Sequence, residues 1–289
     1  MFADFELAAR IERAEAHLSV DIAGVAPVAV SGPGPFVEEV GGGFAVYAGA
    51  RSPVNKVIGA GFAGPPDASR LEAVETLFAA RRSPIQAEVS TLADPSWHEC
   101  LGSRGYLLAG FENVLGLSLI GDSEACDAPA THRPVRPTTE AITVVQCSSA
   151  RDDQVWLDVL ASGFEQPDAV PAAAADQDYP RAAIEETFRA FFRAPGFSRY
   201  IAFLGETVVG GATLRQFERV AALCGAATLP GFRRRGVQTA LVRYRLAEAR
   251  RRGCDIAVVT TAPGSRSQQN AERHGFGLLY TRALHLRRS

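Results

Sequence analysis

The chain has 289 residues, 47% of them apolar, with 30 Lys+Arg against 32 Asp+Glu. That is long for one core and suits two domains of roughly 100–200 residues each. No run of about 18 apolar residues is present to span a bilayer, and the start "MFADFELAARIERAEAHL" has acids where a secretion signal needs bases. Charge is uneven: residues 1–133 hold 9 Lys/Arg and 17 Asp/Glu, residues 134–289 hold 21 and 15. Either the basic half meets something anionic and the acidic half a cationic partner, or the two halves dock on each other.

In chain order, a helix is expected at 3–20, strands near 43–49 and 55–62, and a helix at 68–82. A strand "QAEVST", a helix at 95–104 and a closing strand "LLAGFENVLGLSL" follow. Residues 121–141, "GDSEACDAPATHRPVRPTTEA", are rich in Pro, Thr, Ser and Asp without an apolar period and read as a linker. Beyond it come a strand "ITVVQ", a helix over 149–164, a loop over 165–178 and a helix over 179–194. Three β-rich runs, "RYIAFLG", "TVVGGATLRQF" and "RVAALCGAATL", precede a helix at 236–252, a strand "DIAVVTT", a short helix at 265–274 and a last strand "LLYTRALHL". The pattern is α/β (α+β): two domains, 1–121 and 141–289 with a linker at 122–140, each a mixed, mostly antiparallel sheet flanked by helices.

The halves share a history. At a fixed offset of 170, residues 71–111 and 241–281 give nine ungapped identities, among them Arg81/Arg251, Ala87/Ala257, Thr91/Thr261 and Gly105/Gly275. The helix–strand–helix–strand order matches too, so the chain reads as a diverged tandem duplication.

One stretch carries chemistry: "LPGFRRRGVQTAL", residues 229–241. A short loop entering a helix offers free N–H groups and the positive end of the helix dipole, an anion site made by backbone alone. Gly236 permits close approach or a positive φ, and the arginines add charge-assisted bonds to phosphate. Gly231 and Gly236 have the spacing of a nucleotide P-loop, but Val237 and Gln238 stand where Lys and Ser/Thr are required. There is no G-x-G-x-x-G for a dinucleotide.

These residues resemble the GNAT acyltransferase superfamily, whose signature is Arg/Gln-x-x-Gly-x-Gly/Ala at the junction of a central strand and a long helix. Arg233, Arg234, Arg235, Gly236, Val237 and Gln238 occupy it, followed by Thr239, Ala240 and Leu241. "NAERHGFGLLYTR" resembles the family's second segment. The resemblance covers about residues 141–289. It implies acetyl-CoA as co-substrate, with its pyrophosphate on the amides of residues 234–239 (Arg234, Arg235, Gly236, Val237, Gln238, Thr239). The pantetheine arm would pair along Ala226, Ala227, Thr228 and Leu229, and Asn270 either faces the cofactor or is a helix-surface amide.

The first half departs at the same place. Pro65 and Pro66 fall where Arg235 and Gly236 sit 170 residues later, and proline has no N–H to donate. Asp67 adds a negative charge there, so the first half is expected to keep the fold without the cofactor. In the second half, Gln238 replaces the family's usual Gly or Ala. Ala271 stands where many members carry the tyrosine that protonates the leaving thiolate. Tyr280 is the nearest substitute, unless it belongs to the core; Ser265 and Ser267 are alternatives, unless they cap a helix. Glu218 is the leading candidate for the base that deprotonates the amine, against a solvated strand-end glutamate.

Other constellations are weaker. His98-x-Cys100 and the remaining histidines lack metal-ligand spacing, so no metal is expected. The five cysteines (Cys100, Cys126, Cys147, Cys224, Cys254) form no C-x-x-C pair and suit a reduced, cytoplasmic setting. Arg250–Arg252 close a helix, where cations suit the dipole; no aromatic interleaving suggests nucleic acid. The expected function is acetyl transfer from acetyl-CoA to the amine of a small-molecule acceptor, with neither nucleic acid nor membrane as partner. The alternative is a non-catalytic acyl-CoA sensor.

Overall fold

The computed structural model describes residues 3–27, 33–121, 141–165 and 180–288. The expected linker 122–140 and most of the expected loop 165–178 lie outside the described residues. In chain order the elements are α1 (Phe5–Gly24), β1 (Phe36–Val40), β2 (Gly43–Tyr47), β3 (Lys56–Ile58), α2 (Ala68–Ala79), β4 (Ile85–Ser90), α3 (Ser96–Ser103) and β5 (Leu107–Ser118). Then come β6 (Ile142–Gln146), α4 (Ala150–Glu165), α5 (Arg181–Ala190), β7 (Phe197–Leu204), β8 (Thr207–Phe217), β9 (Val220–Ala222) and β10 (Ala226–Thr228). The last are α6 (Val237–Arg251), β11 (Ile256–Thr261), α7 (Arg266–Arg273) and β12 (Gly277–Arg287).

Two compact units emerge, and they do not follow the contiguous halves 1–121 and 141–289. The first gathers the described residues within Met1–Gly116, Pro167–Phe197 and Val258–Ser289; the second those within Leu117–Gln166 and Ser198–Ala257. The reason is β12. It pairs antiparallel with both β4 and β5, Arg282 facing Ser90 on one side and Glu112 on the other, so the end of the chain is a central strand of the first unit.

Within that unit β1, β2 and β3 form an antiparallel ladder, and α2 returns the chain so that β4 lies parallel to β3. Leu71, Val74 and Phe78 of α2, Trp97 and Leu101 of α3, and Val57, Ala87 and Val89 of the strands share one buried cluster. The acidic edge strand β1, "FVEEV", has no sequence counterpart among the expected elements, because its central residues are exposed and show no apolar alternation.

In the second unit the strand order is β9–β8–β7–β6, with β10 also on β8. The run 219–229 is therefore one strand edge in two pieces, β9 and β10, interrupted where Gly225 takes φ +48°. Successive residues of a strand point to opposite faces, and Gly210 and Gly211 show what lies on each. A Cβ on Gly211 would touch Trp156, Val159 and Leu160 of α4, and one on Gly210 would meet Val237 and Leu241 of α6. The two helices thus cover opposite faces of β8.

The repeat is visible in the elements themselves. Adding 170 to the bounds of α2, β4, α3 and β5 lands within two residues of those of α6, β11, α7 and β12.

Candidate functional site

The second unit builds an anion cradle at the start of α6. On leaving β10, the Leu229 N–H donates to the Val209 carbonyl at 3.0 Å, and Phe232 closes a 3-10 turn onto Leu229 at 2.9 Å. The Arg233 side chain donates through Nε to the Thr228 carbonyl at 3.3 Å, tying the loop back to the strand. Arg234 then takes φ +62° and Gly236 φ +87°. The left-handed region costs an ordinary residue about 1–2 kcal/mol, so Arg234 holds local strain, as residues at functional turns do; glycine enters it without that cost.

Gly236 is the N-cap of α6 and supplies no side chain to it. The contrast within the chain is sharp, since Asp4, Asp67 and Ser265 each accept an N–H from the helix they precede. Ala240 donates to the Gly236 carbonyl at 3.0 Å, but among the described residues the N–H groups of Arg234 to Thr239 have no acceptor. Arg234, Arg235 and Gly236 are exposed, while Val237 is buried beneath them and fixes the helix start. The Arg235 guanidinium carbon lies 5.4 Å from the Phe232 ring centroid, a cation–π distance. No acidic residue occurs between Glu218 and Glu248, so nothing in this segment offsets the arginines or the dipole.

Leading into the cradle, β10 is clamped. A Cβ on Gly163 of α4 would collide with the Ala227 Cβ, and one on Gly210 would lie 2.7 Å from Val237 Cγ1 and 2.9 Å from the Ala227 carbonyl oxygen. Among the described residues β10 has β8 as its strand partner and no other, which leaves the backbone groups of its outer edge available. Open strand edge, uncapped helix start and arginines are contiguous in one segment, Ala226 to Thr239.

The profile of the acetyltransferase (GNAT) family matches residues 164–276. That stretch is similar to a GNAT domain. Among solved structures, a GCN5-related N-acetyltransferase from Kribbella flavida superposes with TM-score 0.62 at 19% identity, covering 97% of this chain and 95% of that one. A tandem GNAT protein from the clavulanic acid biosynthesis pathway gives 0.56 at 13% identity, with 97% and 96% covered. A GCN5-related N-acetyltransferase from Sphaerobacter thermophilus gives 0.53 at 14% identity, with 76% and 66% covered. At these identities the likeness is one of fold. Among curated proteins none matches the sequence.

The first unit's counterpart of the α6 start is closed by its own carboxylate. Asp67 Oδ1 accepts the N–H of Ser69 at 2.8 Å and of Arg70 at 3.3 Å. Those hydrogen bonds, led by the Ser69 side chain, hold its pKa below the ordinary range. An anion already sits on the start of α2, and Pro65 and Pro66 have no N–H to add.

Three candidate residues lie outside the segment Ala226 to Thr239. Tyr280 packs into the core of the first unit. It is 4% exposed in the first unit, and its hydroxyl donates to Glu12 at 2.7 Å. Burial and the Glu12 charge push its pKa well above 10, so it belongs to the core. Glu218 is not beside β10 either. It turns the β8–β9 hairpin at φ +49°, exposed. Ala226 pairs with Ala212, six residues back along β8, and at about 3.3 Å per residue that separates the two levels by roughly 20 Å. Asn270 lies on α7 of the first unit, half-exposed, accepting from Arg273 at 3.2 Å. Ser265 caps α7 through the Gln268 N–H, and Ser267 is exposed on it. At the far end of α6, Arg251 and Arg252 both grip Glu248, holding its pKa down to about 2.

Among the described residues no group of three His, Cys, Asp or Glu is placed to hold a metal ion, and no helix is long and apolar enough to cross a membrane.

Proposed function

We propose that this chain transfers an acetyl group from acetyl-CoA directly to the amine of a small-molecule acceptor, with the coenzyme held by the second unit. The observation that carries the reading is the row of six N–H groups from Arg234 to Thr239, without an acceptor among the described residues and fronted by exposed arginines. A pyrophosphate satisfies such a row, and Arg234 and Arg235 add charge-assisted bonds to its oxygens. The free edge of β10 supports the pantetheine arm through Ala226 to Leu229, a strand-like ligand completing a strand edge. The co-substrate brings an activated thioester. The chain's part is to fix the thioester carbonyl against a backbone N–H of that edge as negative charge develops on oxygen. The amine must arrive neutral, having lost a proton to water or a side chain.

A second reading, a non-catalytic acyl-CoA sensor, is favoured by three observations. The family's usual tyrosine position is Ala271, Tyr280 is buried on Glu12, and Glu218 faces solvent at the hairpin. Calorimetric titration of acetyl-CoA into the full chain tests binding: one site per chain, lost in Gly236→Asp, supports the cradle, and no heat at millimolar ligand refutes it. Release of free CoA thiol with a panel of amines then separates enzyme from sensor.

A further inference from the structure

Charges that no part of the acyl-transfer reading uses converge inside the first unit. Arg282 of β12 donates through Nε to Glu12 Oε1 of α1 at 2.6 Å, and Tyr280 donates to the same oxygen. Lys56 of β3 sits 2.6 Å from Glu88 Oε1 of β4, which also accepts from Gln86 at 2.8 Å. The remaining Arg282 nitrogens find no hydrogen bond, and NH1 lies 3.9 Å from Glu88 Oε2 and 3.7 Å from Glu112 Oε2 of β5. Glu15 of α1 adds a further carboxylate, half-buried. The side chains of Glu12, Glu88 and Arg282 are 1% exposed, those of Lys56 and Glu112 15% and 29%.

Even without Glu15, three carboxylates face two cations. An ionised carboxylate left unpaired in such a place costs several kcal/mol, and the cheapest relief is a proton. Glu12 and Glu88 each accept two hydrogen bonds of 2.8 Å or less, whereas Glu112 has only the 3.7 Å approach of Arg282. Glu112 also faces Arg282 directly across the β5–β12 ladder, on the strand that the chain's end inserts between β4 and β5.

We propose that Glu112 is a proton-operated clasp on the C-terminal strand: protonated, it lets β12 seat between β4 and β5, and ionised, it sets Glu112 against Glu88 and Glu15 and loosens that seat. Burial and the Glu88 charge raise the Glu112 carboxyl to about 7, against the pull of Lys56 and Arg282. The sign follows from linkage. A carboxyl whose folded pKa lies above its unfolded value favours the fold at low pH, and the benefit is lost as pH rises from the ordinary carboxylate range to about 7. The proposal is independent of the acyltransferase reading.

The test is urea unfolding of the full chain, wild type and Glu112→Gln, across about pH 5 to about pH 8. Comparing the two proteins cancels the titrating groups that do not interact with Glu112, His285 among them. One unit of pKa shift is tenfold in an equilibrium constant, so the ratio of unfolding constants, wild type over variant, is expected to rise at least tenfold across that range. A flat ratio overturns the proposal. Should Glu112→Gln fail to fold, infrared difference spectra of the wild type over the same range are expected to show a protonated carboxyl band lost near neutral pH. No such band, or its disappearance in Glu12→Gln, overturns the assignment to Glu112.

Discussion

Gly236 separates geometry from charge in the cradle, because two substitutions there perturb one or both. Its φ is +87°, and the nearest atom to an added Cβ is Ile142 Cδ1 at 3.8 Å, so a side chain fits and only the backbone objects. Gly236→Ala therefore costs about 1–2 kcal/mol of left-handed strain. If the loop keeps its shape, that cost appears as stability, about 2–4 °C in Tm per kcal/mol for a chain of this size. If the loop relaxes instead, the N–H row turns away and acetyl-CoA affinity falls by the same 1–2 kcal/mol, about 5- to 30-fold. Gly236→Asp carries the same strain and adds a carboxylate within about 5 Å of a bound phosphate. At an effective permittivity between about 20 and 80, that repulsion is worth about 1–3 kcal/mol, a further roughly 5- to 150-fold. Calorimetric titration of wild type, Ala and Asp variants reads all three affinities. The gap between Ala and Asp should narrow as salt is raised, since exposed charges are screened. If Asp binds within twofold of Ala at low salt, no phosphate lies on this loop and the cradle assignment is wrong.

Other outcomes follow from the same geometry. Gly210→Ala drives a Cβ against Val237 and the Ala227 carbonyl, and overpacking of that kind costs about 1–3 kcal/mol; because it wedges β10, the acetyl-CoA KM should rise with it, and an unchanged KM would show that β10 does not seat the coenzyme. Asp67→Ala removes the N-cap of α2, so Tm should fall slightly, yet acetyl-CoA stoichiometry should stay at one because Pro65 and Pro66 still lack donors; a second site would refute the account of the first unit. His285 donates to or accepts from His98 at 3.0 Å, and burial, then the His98 charge, depresses its pKa. A depressed histidine pKa means the unfolded chain binds more protons, so stability falls as pH drops below about 6.5; urea unfolding of His285→Gln should lose that slope, and a slope equal to wild type would show that other groups cause it.

How much was legible depended on whether the cause was local. "TVVGGATLRQF" marked β8 to the residue, because apolar branched residues flanked by turn formers determine a strand without outside help. Its two glycines were the visible trace of two helices pressing on opposite faces of β8. The cradle was readable because its chemistry lies in consecutive amides and arginines. Glu218 misled because a position beside a strand in sequence says nothing of which end it occupies; the hairpin puts it at the distant one. The setting of Tyr280 has a longer-range cause. Its partner Glu12 is 268 residues away, and no pattern along β12 announces an acid on α1. The discontinuous first unit was hidden likewise, since a duplicated sequence suggests halves that each keep their own last strand.

The register of that last strand connects the duplication to the clasp. At the offset that relates the halves, Glu112 and Arg282 are equivalent positions, and the β5–β12 ladder places them opposite each other. In a chain with identical halves, the residue at this position would face its own copy, and like charges opposed across a ladder destabilise it. Divergence to Glu and Arg removes that repulsion, because protonated Glu112 sets a neutral carboxyl 3.7 Å from Arg282. The cradles diverged in the same sense: Asp67 fills one helix start with the chain's own anion, and Gly236 leaves the other for a ligand. Each change removes the equivalence of the halves at a point where equivalence is costly or redundant. A single-site stoichiometry for acetyl-CoA and a pH response confined to the β5–β12 pair are therefore two readings of one asymmetry, and each can fail without the other.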